Sequence, residues 1–230
     1  MVSTVKINLD NIALSMIKRR LLVSALVACC LFMILGIVIQ FSSVNQWETH
    51  WLWYWYPLHS PALDQLNLML AHAGGLPVML VIVLIISAWA FYKNRKDLSL
   101  FAAIALLGAA ALGWLGKAGF SRVRPSVWER LTPYYGDSFP SNHSLYALTL
   151  AGIMLVLLYQ TPWRKTAILL GLLWTLAMGM SRLYLGAHFP TDVLAGWSLG
   201  VGWLCFLVWI FIHFNLFQHR ASTLAGNHEV

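Results

Sequence analysis

Residues 76–92, LPVMLVIVLIISAWAFY, contain no charged side chain, and five other stretches are nearly as apolar: 21–40, 98–116, 143–159, 166–182 and 192–214. A bilayer core about 30 Å thick takes roughly 20 such residues per helix. In a chain that is 60% hydrophobic and 10% charged, runs of this length exclude an ordinary soluble domain and read as six transmembrane helices of a polytopic protein. The two-residue alternation of an outer-membrane strand is absent. Backbone groups in lipid must bond within the chain, so the expected fold is an all-α bundle. One domain is expected over 1–230, with a flexible N-terminus to about residue 17 and a mobile polar tail from about residue 215.

The first run follows Lys18, Arg19 and Arg20 and has the look of a signal peptide, but it is long and lacks a small-residue cleavage site before Gln40. It reads as a retained anchor. Cys29, Cys30 and Cys205 fall inside apolar runs and are expected to be small core residues rather than disulfides or metal ligands.

Orientation follows from the basic residues, because short cytoplasmic loops retain Lys and Arg. Six spans put both termini on one side with Lys6, Lys18, Arg19, Arg20, Lys93, Arg95, Lys96, Arg164, Lys165 and Arg220, ten of the fifteen basic residues, so that side is assigned to the cytoplasm. Lys117, Arg122, Arg124, Arg130 and Arg182 remain on the outer side and need another reason to be there. The net charge of +7 is thus a matter of topology, and no nucleic-acid motif accompanies it. Between the first two runs, WETHWLWYWYP crowds aromatic rings that favour the headgroup zone, either as an interfacial anchor or as a lid for a lipid substrate. His50, His59 and His72 in the same region lack ligand spacing and read as structural or solvated.

Three polar clusters share the outer side. In KAGFSRVRP, Lys117 and Arg124 are seven residues apart, two turns of a helix that Pro125 is expected to stop. In FPSNHS, Ser141 suits an N-cap, the free amides behind it suit an anion, and His143 falls in the first turn. In SRLYLGAHFPTDV, Arg182 ends the fifth run, His188 lies in a short connector, and Pro190 and Asp192 suit the start of the sixth helix. Singly, such cations are ordinary snorkelling residues. Together, three cations, two histidines and a carboxylate form a set able to bind and transfer phosphate.

These motifs resemble those of the type 2 phosphatidic acid phosphatases, or lipid phosphate phosphatases, whose site is shared with the vanadium-dependent haloperoxidases. The family pattern is Lys, six residues, Arg-Pro; then Pro-Ser-Gly-His; then Ser-Arg, five residues, His, three residues, Asp. Lys117, Arg124-Pro125, Pro140-Ser141-Asn142-His143, Ser181-Arg182, His188 and Asp192 match every spacing, with Asn142 in place of the usual glycine. The resemblance implies that His188 is a nucleophile forming a phosphohistidine, that Asp192 orients it, and that His143 is the general acid and base. It also implies that Lys117, Arg124, Arg182, the Ser141 hydroxyl and the Asn142 amide bind phosphate, with neither metal nor cofactor.

The implied substrate is a phosphorylated membrane lipid, reached from the outer face of a bacterial cytoplasmic membrane. The compact layout is most similar to the undecaprenyl-diphosphate phosphatases that recycle the carrier lipid of peptidoglycan synthesis; phosphatidylglycerophosphate, phosphatidic acid and lipid A phosphate are the alternatives. A non-catalytic carrier of phosphorylated lipid would need the cations but neither His188 nor Asp192. A vanadate-loaded oxidase would be soluble and larger.

Overall fold

The computed structural model describes residues 2–129, 131, 134 and 136–217, with side chains from residue 13 onward. Arg130 and the tail beyond residue 217 lie outside the described residues. The helices are α1 (Val2–Val38), α2 (Ser42–Leu52), α3 (Pro61–Ala73), α4 (Leu76–Tyr92), α5 (Lys96–Phe120), α6 (Asn142–Leu158), α7 (Arg164–Tyr184) and α8 (Pro190–His213), with a 3₁₀ turn over Trp53–Leu58.

The core runs between α4, α5, α6 and α8. Phe101, Ala102, Ala105, Leu106 and Ala109 recur along one stripe of α5, as 3.6 residues per turn require, and meet Met79 and Val83 of α4, Leu145 and Ile153 of α6 and Leu199, Leu207 and Phe211 of α8. Trp203 of α8 donates its indole N–H to the Ala105 carbonyl at 2.8 Å, so that polar group is satisfied inside the apolar bundle. α1 lies against α8 through a narrow face that buries Ala25, Ala28 and Phe32, while Leu26, Val27, Leu31 and Ile34 face outward. That narrowness corrects the expectation for the cysteines: Cys29 and Cys30 are exposed on the outer surface of α1 and Cys205 is half-buried.

All six expected runs are helical. By length and composition Ala13–Val38, Lys96–Phe120, Arg164–Tyr184 and Pro190–His213 can each cross a bilayer. α3 and α4, bent by 56° at their break, together make a fifth candidate span. α6, with 17 residues, is apolar but short; at 1.5 Å per residue it covers about 26 Å. Its shortness has a local cause, since its first turn is the polar FPSNHS motif. The chain is therefore an all-helical, multi-pass membrane protein.

Candidate active site

The three clusters converge at one end of the bundle. α5 ends at Phe120, where Ser121 turns left-handed at φ 44°. This corrects the expectation that Lys117 and Arg124 share a helical face: Lys117 is in the last turn of α5, and Arg124 stands on the following loop. Lys117 reaches the carbonyls of Asp137 (2.5 Å) and Pro140 (3.0 Å), holding the segment that leads into α6. Arg124 grips the carbonyls of Gly136 (2.8 Å) and Ala187 (2.9 Å).

Ser141 caps α6 as expected, its wholly buried hydroxyl accepting from the Ser144 amide (3.4 Å) and the Ser144 hydroxyl (3.0 Å). Its own amide donates to the Asp192 carbonyl at 3.0 Å, which ties the second cluster to the third. Gly196 on α8 permits this approach, since a Cβ there would lie 3.0 Å from Ser144 Cβ and 3.2 Å from the Leu145 amide. Asn142 Oδ1 is buried over Gly113 of α5 without a hydrogen-bond partner among the described residues.

His188 sits in the connector Leu185–Phe189, which turns back through Gly186 at φ 60°. A residue with a Cβ would be strained there and would press on Trp128. Pro190 opens α8, and the Asp192 carboxylate in its first turn accepts from the Phe189 amide at 2.8 Å. This is half of a capping box, because Phe189 has no side-chain acceptor to complete it. Oδ2 of Asp192 also accepts from the Ser138 hydroxyl and faces His188 Nδ1 at 3.5 Å. On the other side of the ring, Arg124 Nη1 lies 3.1 Å from Nε2. A guanidinium only donates, so Nε2 carries the lone pair and Nδ1 the proton, directed at Asp192.

His188 is 2% exposed. Burial pushes its imidazole down to about 3, with Arg124 and Lys117 opposing the upward pull of Asp192. The neutral ring that a nucleophile needs is thereby kept near neutral pH. The ordinary value is 6.5, so between pH 6.5 and 3 the unfolded chain binds the proton that the folded chain refuses. Stability contributed by the neutral ring is full above 6.5 and lost as pH falls toward 3. His188→Asn should thus lose less thermal stability than the wild type between pH 6.5 and 4.5 in detergent. Parallel curves for the two proteins would show that the ring is not held neutral.

Arg182 and His143 complete the set. Arg182, 2% exposed, points Nε (3.1 Å) and Nη2 (2.8 Å) at its neighbour Ser181 Oγ. His143 Nε2 is 3.1 Å from the Ala71 carbonyl of α3, and its ring lies within electrostatic range of Arg182 and His188. Of the histidines set aside in the sequence, His59 is structural: it bonds Asp64 (3.1 Å) and the Tyr184 carbonyl (3.0 Å) and stacks on the Tyr184 ring.

Four polar residues around the site went unread in the sequence. Ser138, Glu48, Asn45 and Thr191 gather about Asp192 and Arg122, whose place in the sequence indicates only the side it lies on. The available signal was Glu48 itself, a carboxylate in the middle of an aromatic interfacial segment. It is wholly buried. Leu52 of α2, with Trp51 and Trp55, packs on Val127, Leu183, Phe189 and Val193, so the aromatic segment forms a wall over the connector that bears His188.

The PAP2 superfamily profile matches residues 97–215, the part of the chain that contains all three motifs. Phosphatidylglycerophosphatase B of Bacillus subtilis is 30% identical over 154 residues, 63% of this chain and 73% of that protein. An undecaprenyl-diphosphatase of Sulfolobus acidocaldarius is 32% identical over 50% of this chain and 56% of its own length. A lipid A 1-phosphatase of Rhizobium etli is 31% identical over 52% of each. The crystal structure of a transmembrane PAP2 type phosphatidylglycerolphosphate phosphatase from Bacillus subtilis superimposes with a TM-score of 0.76 at 27% identity, over 86% of this chain and 99% of that one. Fold and motifs thus define a membrane phosphatase, a hydrolase acting on phosphate esters. The chain belongs to the PAP2 superfamily.

Proposed function

We propose that this chain removes phosphate from a membrane lipid at headgroup level through a phosphohistidine on His188, with undecaprenyl diphosphate as its first substrate. The observation that carries the reading is the held ring: Nδ1–H directed at Asp192, and the Nε2 lone pair directed at Arg124, where a phosphate would sit. Nε2 attacks phosphorus, the N–P bond forms, and the bond from phosphorus to the leaving oxygen breaks. His143 gives that oxygen its proton. With Nε2–H committed to the Ala71 carbonyl, Nδ1 is the nitrogen left to carry the transferable proton, and it does so in the protonated ring. Water then attacks phosphorus, His143 takes its proton, and the N–P bond breaks to free phosphate.

Lys117, Arg124 and Arg182 bind the phosphoryl oxygens, helped by the Ser141 hydroxyl and the Asn142 amide at the start of α6. Each charge-assisted bond is worth about 1.5–3 kcal/mol. Backbone carbonyls hold Lys117 and Arg124 in place, and phosphate oxygens take over those donors on binding. In this reading the three fixed cations do the electrostatic work, and no metal is involved.

The relatives named undecaprenyl-diphosphatase support the first substrate. The extensive structural match to a phosphatidylglycerolphosphate phosphatase favours that phospholipid as a second reading. Purified protein tested on undecaprenyl diphosphate, phosphatidylglycerophosphate, phosphatidic acid and a lipid A phosphate decides between them, by kcat/KM for phosphate release with and without EDTA. We expect undecaprenyl diphosphate to lead by about tenfold and EDTA to have no effect. A lead for phosphatidylglycerophosphate would install the second reading, and release from none of the four would remove the proposal.

The proposal includes one domain over 1–230 and six membrane-crossing helices, the α3–α4 pair and the short α6 each counting as one. The termini lie in the cytoplasm of a bacterial cell and the site faces outward. Cysteines introduced at Val123, 81% exposed, and at exposed Asn94 test this after the native cysteines are replaced. An impermeant thiol reagent should label position 123 and spare position 94 in intact cells. The reverse pattern would invert the topology.

A further inference from the structure

Arg122 stands two residues from Arg124 but cannot do the same work. Nε (3.1 Å) and Nη2 (2.5 Å) donate to Asn45 Oδ1, Nη2 also donates to Glu48 Oε2 (2.6 Å), and Nη1 donates to Thr191 Oγ1 (2.7 Å) and Asp192 Oδ1 (2.7 Å). A guanidinium has five N–H groups, and these contacts use all five, so none remains for a phosphate oxygen. The Phe189 ring covers one face of the guanidinium, its centroid 4.0 Å from Cζ. The three charged side chains are buried together, Arg122 at 5% and Glu48 and Asp192 at 0% exposed.

Glu48 does more than neutralise. Its Oε1 accepts from the Thr191 amide (2.8 Å) and its Oε2 from the Thr191 hydroxyl (3.0 Å), so one carboxylate of α2 holds both Arg122 and the first turn of α8. The carboxylate of Asp192 is divided between two tasks: Oδ1 takes Arg122, and Oδ2 takes His188 and the Phe189 amide. With Oδ1 pinned, Oδ2 stays aligned with Nδ1. Without Arg122, a buried oxygen would lose its donor and the carboxylate would be free to turn.

We propose that Arg122 is a positioning residue of the phosphatase reaction, locked by Glu48 of α2, which orients Asp192 and through it aims His188 Nε2 at phosphorus. This rests on the phosphohistidine reading above. The aromatic helix α2 is on this view a fixed brace of the site, joined to Asp192 by a buried ionic relay. Lysine is a poor substitute, because a point charge with three donors cannot span four acceptors set out for a planar fork.

The test separates aiming from binding. Inhibition by orthovanadate depends on Nε2 entering the fifth coordination position of vanadium, whereas inorganic phosphate needs only the cations. Wild type, Arg122→Gln, Arg122→Lys, Glu48→Gln and His188→Ala are assayed in detergent micelles on whichever of the four lipid phosphates the wild type hydrolyses fastest, each with both inhibitors. Arg122→Gln should lower kcat about 30-fold with KM within about threefold, and raise the inhibition constant of orthovanadate about tenfold while that of phosphate stays within about threefold. Arg122→Lys should recover less than about half of the lost activity, and Glu48→Gln should show the same split at about three- to tenfold.

Equal shifts of both inhibitors, or full activity in Arg122→Lys, would overturn the positioning role. If Arg122→Gln does not survive purification, Arg122→Lys and Glu48→Gln decide by the same split. Failure of the underlying reading looks different: the wild type would release no phosphate, or His188→Ala would retain activity. Failure of this inference alone would leave a His188-dependent enzyme indifferent to Arg122→Gln.

Discussion

His188→Ala should lower phosphate release by about ten-thousand-fold or more, while the protein remains folded and still binds inorganic phosphate. In the proposed mechanism nucleophile and binding cations are separate groups, so the substitution removes the N–P bond and leaves Lys117, Arg124 and Arg182 in place. The fold should tolerate the change. Arg124 keeps the Gly136 and Ala187 carbonyls, and Asp192 keeps the Phe189 amide, Ser138 and Arg122. Initial rates of phosphate release and acid-labile labelling from a radioactive lipid phosphate measure it. Residual activity above about 1% of wild type, or a labelled phosphohistidine in the variant, would end the covalent mechanism.

Asp192→Asn should cost kcat about a hundred- to ten-thousand-fold, and here stability should fall as well. Both carboxylate oxygens now accept from donors only: Arg122 on one, the Phe189 amide and Ser138 on the other. An asparagine must point its NH₂ at one of these sets. The resulting clash of donors leaves a buried group unsatisfied at about 1–3 kcal/mol, and an NH₂ turned to the Oδ2 side meets the His188 Nδ1–H donor to donor and misorients the ring. Combined with His188→Ala, the substitution should add almost nothing to the kinetic loss, since the two residues act as one unit. Thermal unfolding in detergent and kcat, measured on both single variants and the double, check the two effects independently. An Asp192→Asn protein with near wild-type kcat would remove the carboxylate from the mechanism.

Much of the site was legible because its signals are local. Ser141 caps α6 through an amide three residues away, and Pro190 and Asp192 open α8 within one turn. The spacing from Arg182 to His188 to Asp192 spans a helix end, a connector and a helix start, which adjacent residues build without help from elsewhere. Apolar run length is equally local, so every long run is a helix. The PAP2 resemblance rested on these same short motifs and is upheld by the superfamily match over residues 97–215.

Other features depended on residues far apart in the chain. The reach from Lys117 to Arg124 looked helical by spacing, but Ser121 turned left-handed and sent Arg124 to the Ala187 carbonyl and the His188 ring, 63 and 64 residues away. Cys29 and Cys30 lie in an apolar run, and hydrophobicity does not distinguish core from lipid; only the narrow contact of α1 with α8 does. The bend between α3 and α4 and the turn of Asn142 toward Gly113 are likewise products of packing.

By itself, then, the sequence determined a membrane bundle, three polar motifs and the helix ends that display them, because run length, capping and motif spacing act within a few residues. The tertiary structure alone decided that Arg122 is closed off from phosphate and bound to Asp192, with Glu48 of α2 as its lock. Those partners are separated by 70 and 74 residues. A buried charge takes its meaning from whichever groups surround it once water is gone, and folding chooses those groups.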